Sequence, residues 1–154
     1  MKFEKFFKSA GTHGQIVKKS DKETWLLCGG VGMKIPNGVN NLGVSVEPTE
    51  VLLSIINSVP DDDVLTLERA VILDPAGKAS DIIRVFETDM GDQVSIYNAE
   101  YGLLEKKDYL TYLEIEVDGE NENGDFMVEK FKFMVIRDHS GDAIGYISDC
   151  GKAI

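Results

Sequence analysis

An acidic turn closing on glycine interrupts β-type sequence three times in the C-terminal two thirds of this chain: Asp74-Pro75-Ala76-Gly77, Asp89-Met90-Gly91-Asp92 and Asp138-His139-Ser140-Gly141-Asp142. Asp or Pro early in a tight turn favours the right-handed bend, and a late Gly adopts positive φ without the penalty a Cβ would bring. These segments therefore read as hairpin connections, and the architecture they predict is mostly β.

With 154 residues, 43% of them apolar and 28% charged, the chain suits one domain spanning 1–154 with its own core. The net charge of −11 is uneven: residues 1–59 carry 7 Lys/Arg against 5 Asp/Glu, and residues 60–154 carry 9 against 22. The acidic part opposes direct binding of nucleic acid, whose affinity for proteins comes largely from Lys and Arg displacing counterions. Cys28 and Cys150 lack C-x-x-C spacing, and with only His13 and His139 to help they make no zinc site. Buried thiols are expected, with a bridge between distant strands as the alternative. The first residues alternate charge with phenylalanine, unlike a signal peptide. No apolar run approaches the roughly 20 residues that span a bilayer, so a cytoplasmic protein with no membrane partner is expected.

Phe3, Phe6 and Phe7 fall at i, i+3 and i+4 among Lys2, Lys5 and Lys8, before Gly11. This spacing predicts a short amphipathic helix over residues 1–10, packing on its own sheet or docking on a partner through those three phenylalanines. A β-hairpin is expected over 14–36, joined at Ser20-Asp21-Lys22-Glu23, where Gly29, Gly30 and Gly32 imply a bulge or a close backbone approach. Gly29 to Lys34 is no phosphate loop, because the glycine spacing is wrong and Pro36 stands where a helix would begin. Leu52, Ile55, Ile56 and Val59 repeat at helical spacing after Pro48, predicting a helix over 49–59 with Pro48 at its first position.

An antiparallel sheet is expected over 64–148, from alternation through Leu65–Leu73, Ile83–Phe86, Val94–Ile96, Tyr109–Val117, Met127–Arg137 and Ile144–Ile147. A helical turn falls within Asn98–Lys107, and Asp118–Asp125 reads as a long acidic turn. Val85-Phe86 before Gly91-Asp92 is echoed by Val135-Ile136 before Gly141-Asp142, which shared hairpin chemistry explains.

The sequence offers no catalytic, cofactor or metal residues. Asp138-His139-Ser140 has the residue types of a hydrolase triad, but consecutive side chains on a turn point apart. Asp118, Glu120, Glu122 and Glu129 occupy positions of a calcium loop, yet Gly124 stands one place late and strands flank it. Asp61-Asp62-Asp63 reads as a solvated junction, His13 as a turn residue and Trp25 as core.

Gly11-Thr12-His13-Gly14, Trp25 ahead of Met33-Lys34-Ile35-Pro36, and Ser80-Asp81-Ile82-Ile83-Arg84-Val85-Phe86 resemble small uncharacterised proteins encoded by phages and prophages of Gram-positive anaerobes. The resemblance implies a setting, a virion component or an early protein that binds a host factor, and no activity.

The expected fold is α+β: a mainly antiparallel sheet or partly closed barrel, with one covering helix over 49–59 and a short N-terminal helix. The expected function is non-enzymatic, a protein-binding or assembly module acting on a protein partner or on itself. The alternative is an acidic inhibitor that mimics nucleic-acid phosphates toward a host enzyme. An apolar exposed patch favours the first, and Asp and Glu spaced regularly along one exposed face favour the second.

Overall fold

A computed structural model describes residues 1–37, 45–59, 63–72 and 82–151. Among these, helices α1 (Phe3–Ala10), α2 (Glu50–Ile56) and α3 (Asn98–Tyr101) accompany ten strands: β1 (Gln15–Ser20), β2 (Glu23–Cys28), β3 (Val31–Lys34), β4 (Ser45–Val46), β5 (Leu67–Ile72), β6 (Ile82–Glu87), β7 (Gln93–Tyr97), β8 (Tyr109–Glu120), β9 (Phe126–Arg137) and β10 (Ala143–Ser148). The fold is α+β.

A seven-stranded sheet runs β4-β1-β2-β3-β10-β9-β8, and a second sheet runs β5-β6-β7. Every pairing between strands is antiparallel except that of β4 with β1. The large sheet is open, ending at β4 and β8, so the barrel alternative does not form. The strands expected as one sheet over 64–148 divide between two. β5, β6 and β7 pair among themselves, while β8, β9 and β10 join the N-terminal strands through β3.

The large sheet is the middle of three layers. Ile16, Leu26, Met33, Met134, Ile136 and Ile147 pack with Phe86, Val94 and Ile96 of the small sheet and with Phe6 and Ala10 of α1. Val17, Trp25, Phe133, Val135 and Tyr146 pack on the other side with Leu52, Ile55 and Ile56 of α2. Successive residues of a strand point to opposite faces, so a strand covered on both sides must be apolar at consecutive positions. Phe133-Met134-Val135-Ile136 satisfies this, with all four buried.

The region 14–36 is a three-stranded meander rather than one hairpin, because Gly29-Gly30 turns the chain between β2 and β3. The close approach expected of the glycines occurs at Gly32, where the Tyr146 ring of the facing strand lies across the position a Cβ would occupy. Helix α2 begins after Thr49, whose Oγ1 accepts from Leu52 N–H at 3.2 Å. Pro48 therefore precedes the cap and is not the first helical residue. Val59 lies beyond the helix and is exposed. Cys28 and Cys150 are half-buried thiols.

Two of the three glycine turns lie among the described residues, and Asp74–Gly77 lies outside them. A further turn of the same build closes the β8–β9 hairpin. Thr88 N–H bonds Asp92 O, Asn121 N–H bonds Asp125 O, and Asp138 N–H bonds Asp142 O, each at 2.9–3.0 Å. Gly91, Gly124 and Gly141, at φ 90°, 80° and 88°, return an N–H to the first residue's carbonyl. The first side chain holds the loop: Thr88 Oγ1, Asn121 Oδ1 and Asp138 Oδ1 each accept the N–H four residues on. Open space surrounds Cβ at Gly91 and Gly124, so substitution there is a backbone test alone. Val at either is expected to destabilise the fold by about 1 kcal/mol or more through forced positive φ. Unchanged chemical denaturation midpoints in both variants would sink that account.

Candidate functional site

Strands β8 and β9 pair without a bulge from Tyr109 opposite Arg137 to Glu120 opposite Phe126. Only the inner half of this hairpin belongs to the core. β10 pairs with β9 as far as Phe133, and Asp149 N–H adds a bond to Lys132 O at 2.9 Å. Beyond that point β9 keeps β8 as its one neighbour among the described residues, and every residue from Asp118 to Lys132 is exposed. The outer half is thus a two-stranded arm standing off the sheet.

Its two faces differ. On the α2 side, Leu113 and Ile115 continue from the core cluster, and Phe131, Val117 and Met127 follow on the same face through the pairs Ile115–Phe131, Val117–Glu129 and Gly119–Met127. On the opposite face the pairs are Glu114–Lys132, Glu116–Lys130, Asp118–Val128 and Glu120–Phe126. Lys130 Nζ lies 3.7 Å from both Glu114 and Glu116. These ion pairs are exposed and contribute only tenths of a kcal/mol, yet a two-stranded ribbon is marginal in water and such cross-strand pairs help hold it. At the tip both faces turn apolar. Phe126 is 72% exposed, Val128 42%, Phe131 41% and Met127 38%.

The calcium-loop spacing does not close around a centre. Asp118 and Glu120 lie in the ladder opposite Val128 and Phe126, and Glu129 faces Val117, so strand pairing extends these acids instead of curling them together. Among the described residues no cluster of three metal-ligating side chains exists. Asp138 spends a carboxylate oxygen on Ser140 N–H and Asp142 N–H in its own turn, away from any triad role. Asp61 and Asp62 lie outside the described residues.

The three residues of the phenylalanine stripe differ in exposure. Phe6 is 2% exposed and belongs to the core with Ala10. Phe3 is half-buried and stacks on Phe7 at 5.9 Å, leaving Phe7, 45% exposed, as the solvent-facing member. Neighbouring bonds clamp the helix down: Lys2 N–H donates to Leu103 O at 2.9 Å, and the Met1 ammonium pairs with Asp108 at 2.8 Å. The spacing announced an apolar stripe correctly, but an aromatic stripe looks the same whether its own sheet or a partner covers it.

A groove of about 510 Å³ runs beside α2, lined by Val17, Leu52, Ile55, Phe133 and Tyr146 together with polar Gln15 and Glu47. Burial pushes the Tyr146 phenol up to about 12. Burial, then the charge of and hydrogen bond to Glu114, hold Tyr112 above the ordinary phenol range. A phenol whose folded pKa exceeds its unfolded one stabilises the fold below about pH 10, and that contribution fades as pH climbs toward the folded value. Stability is therefore expected to fall from about pH 10 upward, and Tyr146→Phe to flatten that alkaline limb. Parallel limbs in the two proteins would rule this out.

Among the described residues no helix is long and apolar enough to cross a membrane. No protein-family model, curated protein or solved structure matches the chain.

Proposed function

We propose that this chain is a non-enzymatic protein-binding or assembly module whose contact element is the β8–β9 arm. The observation that carries the reading is the exposed apolar tip, where Phe126, Met127, Val128 and Phe131 lie within one short strand segment. Single exposed apolar residues are ordinary, but a cluster on a projecting hairpin is a surface that binding would cover. The setting proposed with it is phage-like, a virion component or an accessory protein in the host cytoplasm.

Phosphate mimicry has one observation of its own. Glu114, Glu116, Asp118 and Glu120 follow one another on one face of β8, and alternate strand residues stand about 7 Å apart. Lys130 lies against two of those four carboxylates, which weakens the imitation of a polyanion and favours the apolar tip as the contact.

The test compares the intact protein with a Phe126→Ser, Phe131→Ser variant in affinity capture from host lysate and in light-scattering mass. Phe126 is 72% exposed and Phe131 41%, and neither belongs to the core, so the melting temperature is expected to fall by no more than a few °C. Self-association, or capture of a specific protein, is expected to be lost. Capture that survives the variant but is competed by duplex DNA would point to mimicry. Identical capture and mass, together with catalytic turnover in the intact protein, would overturn the reading.

A further inference from the structure

The outer edge of β8 carries more information about a partner than the apolar tip does. Even-numbered residues of β8 turn their backbone groups away from β9, and the chain already uses two of them. Leu65 N–H donates to Leu110 O at 3.0 Å, Tyr112 N–H donates to Asp63 O at 2.8 Å, and Val64 bridges Thr111 in antiparallel fashion. From Glu116 to Glu120 the edge continues with no strand beside it among the described residues.

Natural edge strands are blunted by charged side chains, lysine above all, by proline or by a bulge, and on β8 the row of acids is the one such device, a charge that repels acidic strands and admits basic ones. β8 holds no lysine, proline or bulge over residues 109–120. It alternates Glu114, Glu116, Asp118 and Glu120 on one face with Ile115, Val117 and Gly119 on the other. That pattern selects its occupant. A second copy pairing β8 with β8 about a two-fold axis would set carboxylate opposite carboxylate in every register that preserves the faces, which is destabilising. A strand of alternating Lys or Arg and apolar residues would set a cation opposite each acid and an aliphatic group opposite Ile115 and Val117.

We infer that the β8 edge accepts an extended segment of a partner protein, basic and apolar at alternate positions, as an added strand antiparallel to β8. Its direction is the one residues 63–65 already take beside Leu110–Tyr112. Main-chain bonds at Glu116, Asp118 and Glu120 supply the attachment, and the acidic row supplies the choice of sequence. This inference rests on the protein-binding reading and names the partner's chemistry.

The probe is a fluorescein-labelled ten-residue peptide of alternating lysine and valine, titrated by anisotropy against the full chain beside an alternating glutamate–valine peptide. The lysine peptide is expected to bind saturably, and about tenfold or more tighter than the glutamate peptide. Glu116→Lys with Asp118→Lys is expected to invert that preference. Glu116→Pro removes an outward N–H that β9 does not use, and edge strands tolerate proline there. It is expected to weaken the lysine peptide about tenfold, as is N-methylation of alternate peptide amides. Undiminished binding by the N-methylated peptide, which keeps every charge, would reduce the effect to charge alone and overturn the inference. So would binding of neither peptide, or a dimer that Glu116→Pro abolishes. If Glu116→Pro still captures what the Phe126→Ser, Phe131→Ser variant loses, the edge inference fails while the arm stands as the contact.

Discussion

Replacement of Arg137 by Met is expected to destabilise the protein by about 3 kcal/mol, because it strands the buried hydroxyl of Thr111 and takes a charged donor from the half-buried acceptors of Ser58 and Gly141, and a buried acceptor so stranded costs roughly 1–3 kcal/mol. Arg137 is 2% exposed at the end of β9. Its Nε donates to Thr111 Oγ1 at 3.1 Å, Nη1 to the carbonyls of Ser58 and Gly141 at 2.9 and 3.1 Å, and Nη2 to Ser58 Oγ at 2.8 Å. One guanidinium thus ties β8, the segment after α2, and the β9–β10 turn to one point. Met keeps the length and apolar stem but supplies none of the donors. In a chain of this size the melting temperature should fall by about 6–12 °C. Lys at the same position is expected to recover little, since an ammonium cannot reproduce the planar fork. A melting temperature within about 2 °C of the parent for Arg137→Met would show that these bonds contribute nothing net.

Gly32→Ala is expected to destabilise the fold by about 2 kcal/mol through overpacking, against the usual direction of a strand glycine replacement. Elsewhere in a strand, Ala for Gly reduces the entropy lost on folding and is favourable by tenths of a kcal/mol or more. At Gly32 the new Cβ would fall within the Tyr146 ring, which crosses the glycine from the paired residue of β10. That ring cannot swing away, because it stacks on Trp25 at 6.4 Å and meets Phe133 edge-on at 5.9 Å. Shortening the obstruction should abolish the cost, so in a Tyr146→Ala background Gly32→Ala is expected to be neutral or mildly stabilising. Additive losses in the two backgrounds, measured by chemical denaturation, would show that the clash is not what the glycine avoids.

These two positions differ in how visible they are beforehand. Gly32 stands among Gly29 and Gly30, and a close backbone approach was one of two meanings open to that trio. The ring that makes the approach sits on β10, more than a hundred residues away. Arg137 closes the alternating stretch that begins at Met127. Its burial follows from α2, β8 and a turn converging on it, which no local pattern records.

The arm shows the same division. Tyr109–Val117 and Met127–Arg137 alternate legibly, and the hairpin joining them follows from the acidic segment between. That Asn121–Asp125 repeats the turn at Thr88–Asp92 and Asp138–Asp142 was there to be read, since each has Gly-Asp at its close. The acids around it make Asp118–Asp125 legible as a long acidic turn, without marking which five residues close it. That the outer half leaves the sheet is decided by the length of β10, which pairs with β9 only as far as Phe133.

The sequence by itself determined the features set by each residue's own backbone and its nearest neighbours. These are positive φ at the turn glycines, the helical stripe of α2, the helix over Phe3–Ala10, and the in-out alternation of the strands. Only the tertiary structure decided which strands share a sheet, that Phe6 is core while Phe7 meets solvent, and that one half of β9 is enclosed on both faces while the other stands clear. The physical reason is that periodicity fixes the face on which a side chain lies but not what covers that face. Burial is a relation between distant segments, and an apolar stripe or row of carboxylates acquires its meaning from the neighbour that topology supplies or withholds.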